Sequence, residues 1–197
     1  MGLKARLRAL WARWWLRRSS FSGRYGDLDR LYAIEDPWNL TSAKERTRFE
    51  ASNRLVAQLA PGCRSLLEIG SGEGLQTVYL AKVSERVAGI EVSASAVRRA
   101  QERLPAAEFR VGKAEDAPAL FPGRRFDVVT AFEVLYYIED VAAAVAALQS
   151  MTDLLIVTSY SARADRMRHL FAGAGWQRLD DIAAEGTVWE AYAWRRA

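Results

Sequence analysis

Residues 66–74 read LLEIGSGEG. A short apolar run ends in Gly70, Gly72 and Gly74, and a helical pattern follows. That is how a buried parallel strand passes through a sharp turn into a helix, with glycines where the backbone bends or approaches a ligand. A dinucleotide-binding turn spaces its glycines G-x-G-x-x-G. Here the third glycine comes one residue early, and Leu75 stands in its place. Glu68 also precedes the glycines, where a pyrophosphate would be repelled. A cationic ligand with an amino-acid end would be attracted.

Outward from this turn, helices and strands alternate. Helices are expected over 43–59, 74–83, 94–104 (with Ser93 as N-cap), 140–150 and 163–172. Strands are expected over 65–70, 86–92, 108–111, 126–132 and 154–159, followed by β-rich segments at 176–182 and 187–194. The order implies an α/β fold of the Rossmann-like, doubly wound type. Its seven-stranded sheet would be mostly parallel, with an antiparallel C-terminal strand.

Three further stretches carry polar groups toward the same edge of such a sheet. VAGIEVS places Glu91 and Val92 at the end of the second strand, where a carboxylate can accept two ribose hydroxyls or stand solvated. VGKAEDAP (111–118) is either a loop that closes on a base, through Ala114 and Glu115 or Asp116, or a plain surface loop. FDVVTAFEVLYYIED (126–140) delivers Phe132 and Glu133 to the carboxyl edge, with Tyr136 and Tyr137 at the mouth of a pocket. Upstream, EDPWNL (35–40) is a turn carrying Trp38, which either walls a ligand pocket or packs against the 43–59 helix.

Charge is divided unevenly. Residues 1–30 hold eight Lys or Arg against Asp27 and Asp29, and the rest of the chain holds 20 basic and 22 acidic side chains. A mildly acidic body gives no support for a nucleic-acid groove, so no nucleic-acid partner is expected. GLKARLRALWARWWLRR (2–18) places Leu and Trp on one helical face with basic margins. That pattern suits a peripheral helix in an anionic membrane interface, or one docked on the domain or on another subunit. Its charges exclude a transmembrane span. A polar hinge follows at 19–27. Cys63 and His169 stand alone, so no disulfide framework or His/Cys metal cage is expected, and a reducing, cytoplasmic setting is natural, extending to the inner face of the membrane if the tail binds there.

Together these motifs resemble a class I S-adenosylmethionine-dependent methyltransferase over residues 60–197. LYAIEDPWNLTSAKERTRF (31–49) with EVLYYIED (133–140) is similar to the nodulation protein S family of N-methyltransferases. The resemblance implies S-adenosylmethionine as cofactor, with Glu68, Gly70, Ser71, Gly72 and Gly74 at the methionine end. Glu91 and Val92 would take the ribose, Ala114 and Glu115 the adenine, and Phe132 and Trp38 would wall the cofactor. It implies methyl transfer to an amine or hydroxyl of a saccharide or lipid-linked oligosaccharide, with Glu133 as base or amine-orienting carboxylate and Tyr137 and Tyr32 as hydrogen-bonding partners. Residues 1–26 would be helix and hinge, 27–60 a lid segment, and 61–197 the methyltransferase domain. Two departures stand out: SMTD (150–153) replaces the usual P-G-G turn, and the basic tail is extra. A non-catalytic cofactor-binding subunit, or an RNA or protein methyltransferase using the tail as an arm, are the rival readings.

Overall fold

The computed structural model describes residues 22–196. The helix expected over 3–18, and the membrane contact expected of it, lie outside them. The elements in chain order are α1 (Tyr25–Leu31), α2 (Ala43–Leu59), β1 (Ser65–Ile69), α3 (Thr77–Leu80), β2 (Arg86–Glu91), α4 (Ala94–Arg103) and β3 (Glu108–Val111). Then come α5 (Ala117–Leu120), β4 (Val128–Phe132), α6 (Val141–Ser150), β5 (Leu154–Tyr160), α7 (Ser161–Ala164), β6 (Trp176–Arg178), β7 (Ile182–Ala184) and β8 (Thr187–Arg195). Short 3-10 turns lie at Ala114–Asp116, Leu135–Tyr137 and Arg168–Phe171.

The strands form one sheet in the order β3-β2-β1-β4-β5-β8-β6, with β7 paired to β8. Strands β3, β2, β1, β4 and β5 are parallel, and β8 runs antiparallel to β5, β6 and β7. This is the Rossmann-like, doubly wound sheet with an antiparallel C-terminal region that the sequence pattern implies. The sheet has eight strands rather than seven. The 176–182 segment breaks where Arg178 and Asp181 pair across the turn between β6 and β7.

Strand alternation sorts the core. Leu67, Ile69, Val129, Ala131, Leu155 and Val157 belong to one cluster with Phe121, Leu148, Met167 and Phe171. Leu66, Val128, Leu154 and Ile156 belong to a second with Val56 of α2 and Leu80. The second face turns polar toward the carboxyl ends of the strands, where Glu68, Thr130 and Thr158 are all buried. Opposite them α2 buries Arg48, Ser52 and Asn53 beside Phe49 and Val56. A helix with a charged inward stripe is unusual, because an unpaired buried ion costs several kcal/mol.

Local differences from the expected elements have physical causes. The helix expected at 74–83 contracts to Thr77–Leu80. Gly74 at φ +77° cannot join a right-handed turn, and the chain tightens into i-to-i+3 bonds at Lys82 and Val83. The helix expected at 163–172 splits in two. Tight turns at Met167 and Leu170 accompany the burial of Ala164, Met167 and Phe171. The hinge expected over 19–27 ends early, because α1 starts at Tyr25, with Asp27 in its first turn and Leu28 and Leu31 buried. Among the described residues no helix is long and apolar enough to cross a membrane.

Candidate active site

In an open α/β sheet the crevice forms outside the carboxyl ends of the strands where strand order reverses. Here that point is β1, flanked by β2 on one side and β4 on the other. The turn after β1 and the turn after β4 therefore face one cavity, of about 210 Å³.

The glycine turn forms its floor. Gly70 and Ser71 donate backbone N–H groups to the Ile90 carbonyl at 2.8 and 3.1 Å, which pins the turn to β2. Gly70 (φ +71°) and Gly72 (φ +53°) are left-handed. A Cβ on Gly70 would stand 2.6 Å from a methyl of Val134, and one on Gly72 would stand 3.0 Å from Tyr32 Oη. Gly74 differs from both. It does not line the cavity, and a Cβ there would meet Ala100 of α4 at 3.2 Å, so its smallness serves turn-to-helix packing.

Four carboxylates and one guanidinium line the cavity: Glu45, Glu68, Glu91, Glu133 and Arg48. Glu91 accepts Gly72 N–H on one oxygen and Ser93 N–H on the other, both at 3.1 Å. Burial pushes its carboxyl up to about 6, against the pull of those bonds. Glu68 accepts Thr77 Oγ1–H at 2.5 Å, and burial raises it to about 8. Arg48 is 3% exposed, donates to Glu45 Oε2 at 2.7 Å and to Gln76 Oε1 at 3.0 Å, and draws both Glu68 and Glu133 downward. The Gln76 Nε2 donor and the Ser71 hydroxyl are buried on the cavity wall with no protein partner.

Among the described residues Glu133 is the one non-glycine residue of the cavity wall with left-handed backbone, at φ +60°. Such a backbone costs on the order of 1–3 kcal/mol and persists where its surroundings hold it. Here Tyr136 Oη–H (3.0 Å), Thr158 Oγ1–H (3.2 Å) and Tyr160 N–H (3.1 Å) all donate to its carboxylate. Burial nevertheless pushes the group up to about 7.

Three rings complete the wall. Trp38 lies edge-on to Tyr32 at 6.3 Å and tilted on Tyr137 at 5.6 Å. Tyr32 is buried, and its hydroxyl is raised well above its ordinary value, by burial first and then by Glu91. Trp38→Ala is expected to leave folding intact and to weaken ligand binding about tenfold, measured by calorimetry, since it removes a largely buried aromatic wall. Unchanged affinity would reduce Trp38 to simple packing.

Of the positions singled out in the sequence, Glu68, Gly70, Ser71, Gly72, Glu91, Val92, Ala114, Phe132, Glu133, Tyr137, Tyr32 and Trp38 all line this cavity. Glu115 does not. It accepts Tyr25 Oη–H at 3.4 Å behind the wall that Tyr25 forms. Sequence reading missed Tyr25, Glu45, Arg48, Gln76 and Trp189. Glu45 and Arg48 both fall within the 31–49 motif, and neither was singled out there.

Three buried carboxylates with raised values also make stability depend on pH. Each binds its proton more tightly folded than unfolded, so its contribution is full below about pH 4.5 and lost as pH rises through about 6, 7 and 8. Ligand-free protein is expected to melt several degrees lower at pH 8.5 than at pH 5.5. Glu68→Gln should flatten that fall, as a melting series across pH would show.

The model of the family described as Nodulation protein S (NodS) matches residues 22–163. Nodulation protein S of Sinorhizobium fredii is 33% identical over 132 residues, covering 66% of this chain and 61% of that protein. The chain spans about three fifths of the length of the curated relatives it matches. The crystal structure of N-methyltransferase NodS from Bradyrhizobium japonicum WM9 with S-adenosyl-L-homocysteine superposes with a TM-score of 0.73 at 22% identity, covering 88% of this chain and 98% of that one. Magnesium protoporphyrin IX methyltransferase of Synechocystis PCC 6803, with bound SAM, shares the fold at a TM-score of 0.59 and 19% identity, covering 77% and 81%. With a family match that runs from α1 to α7 and takes in both the glycine turn and Glu133, the chain belongs to the nodulation protein S family.

Proposed function

We propose that this protein transfers a methyl group from S-adenosylmethionine to an amine of a small molecule, a saccharide or a lipid-linked oligosaccharide. The observation that carries this reading is the meeting of Glu133, strained and held by three donors, with the glycine turn and Glu91 in one cavity.

The residues present suit the cofactor. A Cβ at Gly70 would collide with Val134, and one at Gly72 would press on the Tyr32 hydroxyl at the cavity edge. Glu91 keeps lone pairs for ribose hydroxyls after its two backbone bonds. Ile90, Ala114 and Ile138 supply apolar wall for a base. The excess of carboxylate over guanidinium favours a sulfonium and an ammonium. Glu68 with Gly70, Ser71 and Gly72 would hold the amino-acid end, and Arg48 with the unpartnered Gln76 amide suits its carboxylate. Residues 27–60, with Tyr32 and Trp38, would serve as the lid. When bound, the cofactor supplies an electrophilic methyl carbon.

The chain itself aligns the acceptor and manages its proton. An amine arrives as ammonium and becomes a nucleophile only when a proton leaves its nitrogen. Glu133, raised toward neutrality, takes that proton on a carboxylate oxygen, while Tyr136, Thr158 and the Tyr160 amide fix the orientation of the group. Tyr137 and Tyr32 exclude water beside it. The acid-rich wall favours an amine over a hydroxyl, in keeping with the N-methyltransferase activity named for the Bradyrhizobium relative.

Calorimetry with S-adenosylmethionine and S-adenosylhomocysteine tests the first half, and mass spectrometry of amino sugars, chitosan oligomers and glycolipids after incubation tests the second. One-methyl mass gain on an amino sugar, absent from its N-acetylated form, is the expected result. Failure to bind either nucleoside would overturn the reading.

A further inference from the structure

Glu73, the residue between Gly72 and Gly74, lies outside the cavity wall, yet it is 2% exposed and charged. Its carboxylate forms an ion pair with Arg99 of α4, at 2.7 Å from Nε. The same carboxylate accepts the Asp36 backbone N–H on both oxygens, at 3.2 and 3.0 Å. Arg99 donates from Nη2 to the Tyr32 carbonyl at 2.7 Å. One ion pair, buried on its Glu73 side and half-buried on its Arg99 side, therefore fastens the chain at residue 32 and again at residue 36, on either side of the bend that leads to Trp38.

The far side of that bend is tied to the same point. Asp36, left-handed at φ +45°, accepts Leu40 N–H (2.6 Å), Thr41 N–H (3.1 Å) and Thr41 Oγ1–H (2.7 Å) on its carboxylate. Asn39 is left-handed as well, at φ +55°. Two strained residues in one turn need an external hold, and among the described residues the turn takes one from the glycine loop through the Asp36 N–H on Glu73. Across the cavity edge, Tyr32 Oη sits 3.0 Å from the place a Gly72 Cβ would take.

We propose that Glu73 and Arg99 are positioning residues that clasp the 32–41 segment to the glycine turn, so that Tyr32 and Trp38 are set at the correct height over bound cofactor. This rests on the cofactor reading of the cavity. Neither residue touches the cavity, so both act through the segment they hold. A breach of the clasp frees the aromatic roof without altering the floor.

Amide hydrogen exchange on ligand-free protein, with calorimetric S-adenosylhomocysteine affinity, tests it in Glu73→Ala, Glu73→Gln and Arg99→Lys. Exchange over 32–41 should rise tenfold or more in Glu73→Ala while β1 and β4 stay protected, and affinity should fall about tenfold. Glu73→Gln, which keeps an acceptor for Asp36 N–H, should fall between. Arg99→Lys should keep the charge pair but lose the Tyr32 tether, loosening residues 32–34 more than 36–41; if Glu73→Ala does not fold, these two variants carry the test. Unchanged exchange in the folded variants overturns the clasp. So does a uniform rise matched by a lower melting temperature, which would make the pair a general strut, and so does local loosening at wild-type affinity. If wild-type protein binds no S-adenosylhomocysteine, the cofactor reading fails, and the clasp is then judged by the exchange pattern alone.

Discussion

Glu133→Gln is expected to cut turnover at least about a hundredfold while leaving S-adenosylhomocysteine affinity within about threefold. The amide keeps the size of the carboxylate, and with its oxygen in the Oε2 place it still accepts from Tyr136 Oη–H and Tyr160 N–H, while its NH2 group faces the Thr158 hydroxyl, so the left-handed backbone at 133 retains its supports. What it loses is basicity. The pH profile separates this loss from a displaced acceptor. A general base works only when ionised, and burial places this carboxyl at about 7. Wild-type turnover should therefore climb between pH 6 and 8, with Glu133 contributing a limb near 7. The residual activity of the variant should lack that limb and follow only the acceptor ammonium. Turnover within about threefold of wild type in the variant would remove Glu133 from the chemistry.

Arg48 carries a different lesson about what the sequence makes legible. The glycine turn, Glu91 and Glu133 could be read because each sits at a strand end, where alternation and turn residues mark the carboxyl edge of a sheet. Helix α2 could be bounded to the residue, with Pro61-Gly62 following its end, and the structure adds Ser42 as its cap, accepting Glu45 N–H. Its inward face could not be read. Periodicity assumes that apolar side chains point inward, which holds for Phe49, Val56 and the partly buried Leu59 but leaves no place for a charge in the buried stripe. In the folded chain Arg48, Ser52 and Asn53 share that stripe with Phe49 and Val56. The reason lies across the gap, where β1, β4 and β5 present Glu68, Thr130 and Thr158 to the same face. A charge is tolerated inside when a partner of opposite sign is held nearby; Arg48 has Glu45 one turn back, but Gln76, Glu68 and Glu133, which complete its surroundings, are distant in sequence. Glu73 escaped for the same reason. In GSGEG it looks like a spacer between glycines, and only the approach of α4 and the EDPWNL turn gives its carboxylate partners.

The three glycines of the turn, indistinguishable as letters, should separate by experiment. Gly72→Ala is expected to weaken S-adenosylhomocysteine binding about tenfold or more, since its methyl enters the cavity edge against the buried Tyr32 hydroxyl at 3.0 Å. Gly70→Ala should lose more affinity and also stability, because the methyl would lie 2.6 and 2.9 Å from two carbons of Val134, a stiff β-branched side chain next to Glu133. Gly74→Ala should behave oppositely. Its methyl meets Ala100 Cα and Cβ, each at 3.2 Å, and the left-handed φ of +77° must be held against the preference of an L residue. That strain costs about 1–2 kcal/mol, or roughly 2–8 °C in melting temperature for a chain of this size. Yet Gly74 contributes nothing to the cavity wall, so the folded fraction should bind S-adenosylhomocysteine with wild-type affinity. Melting curves and calorimetry on the three variants decide the matter. Equal losses of affinity in all three would mean that the turn recognises the cofactor as one rigid unit; loss confined to Gly70 and Gly72 would divide it into a floor for the ligand and a seat for α4.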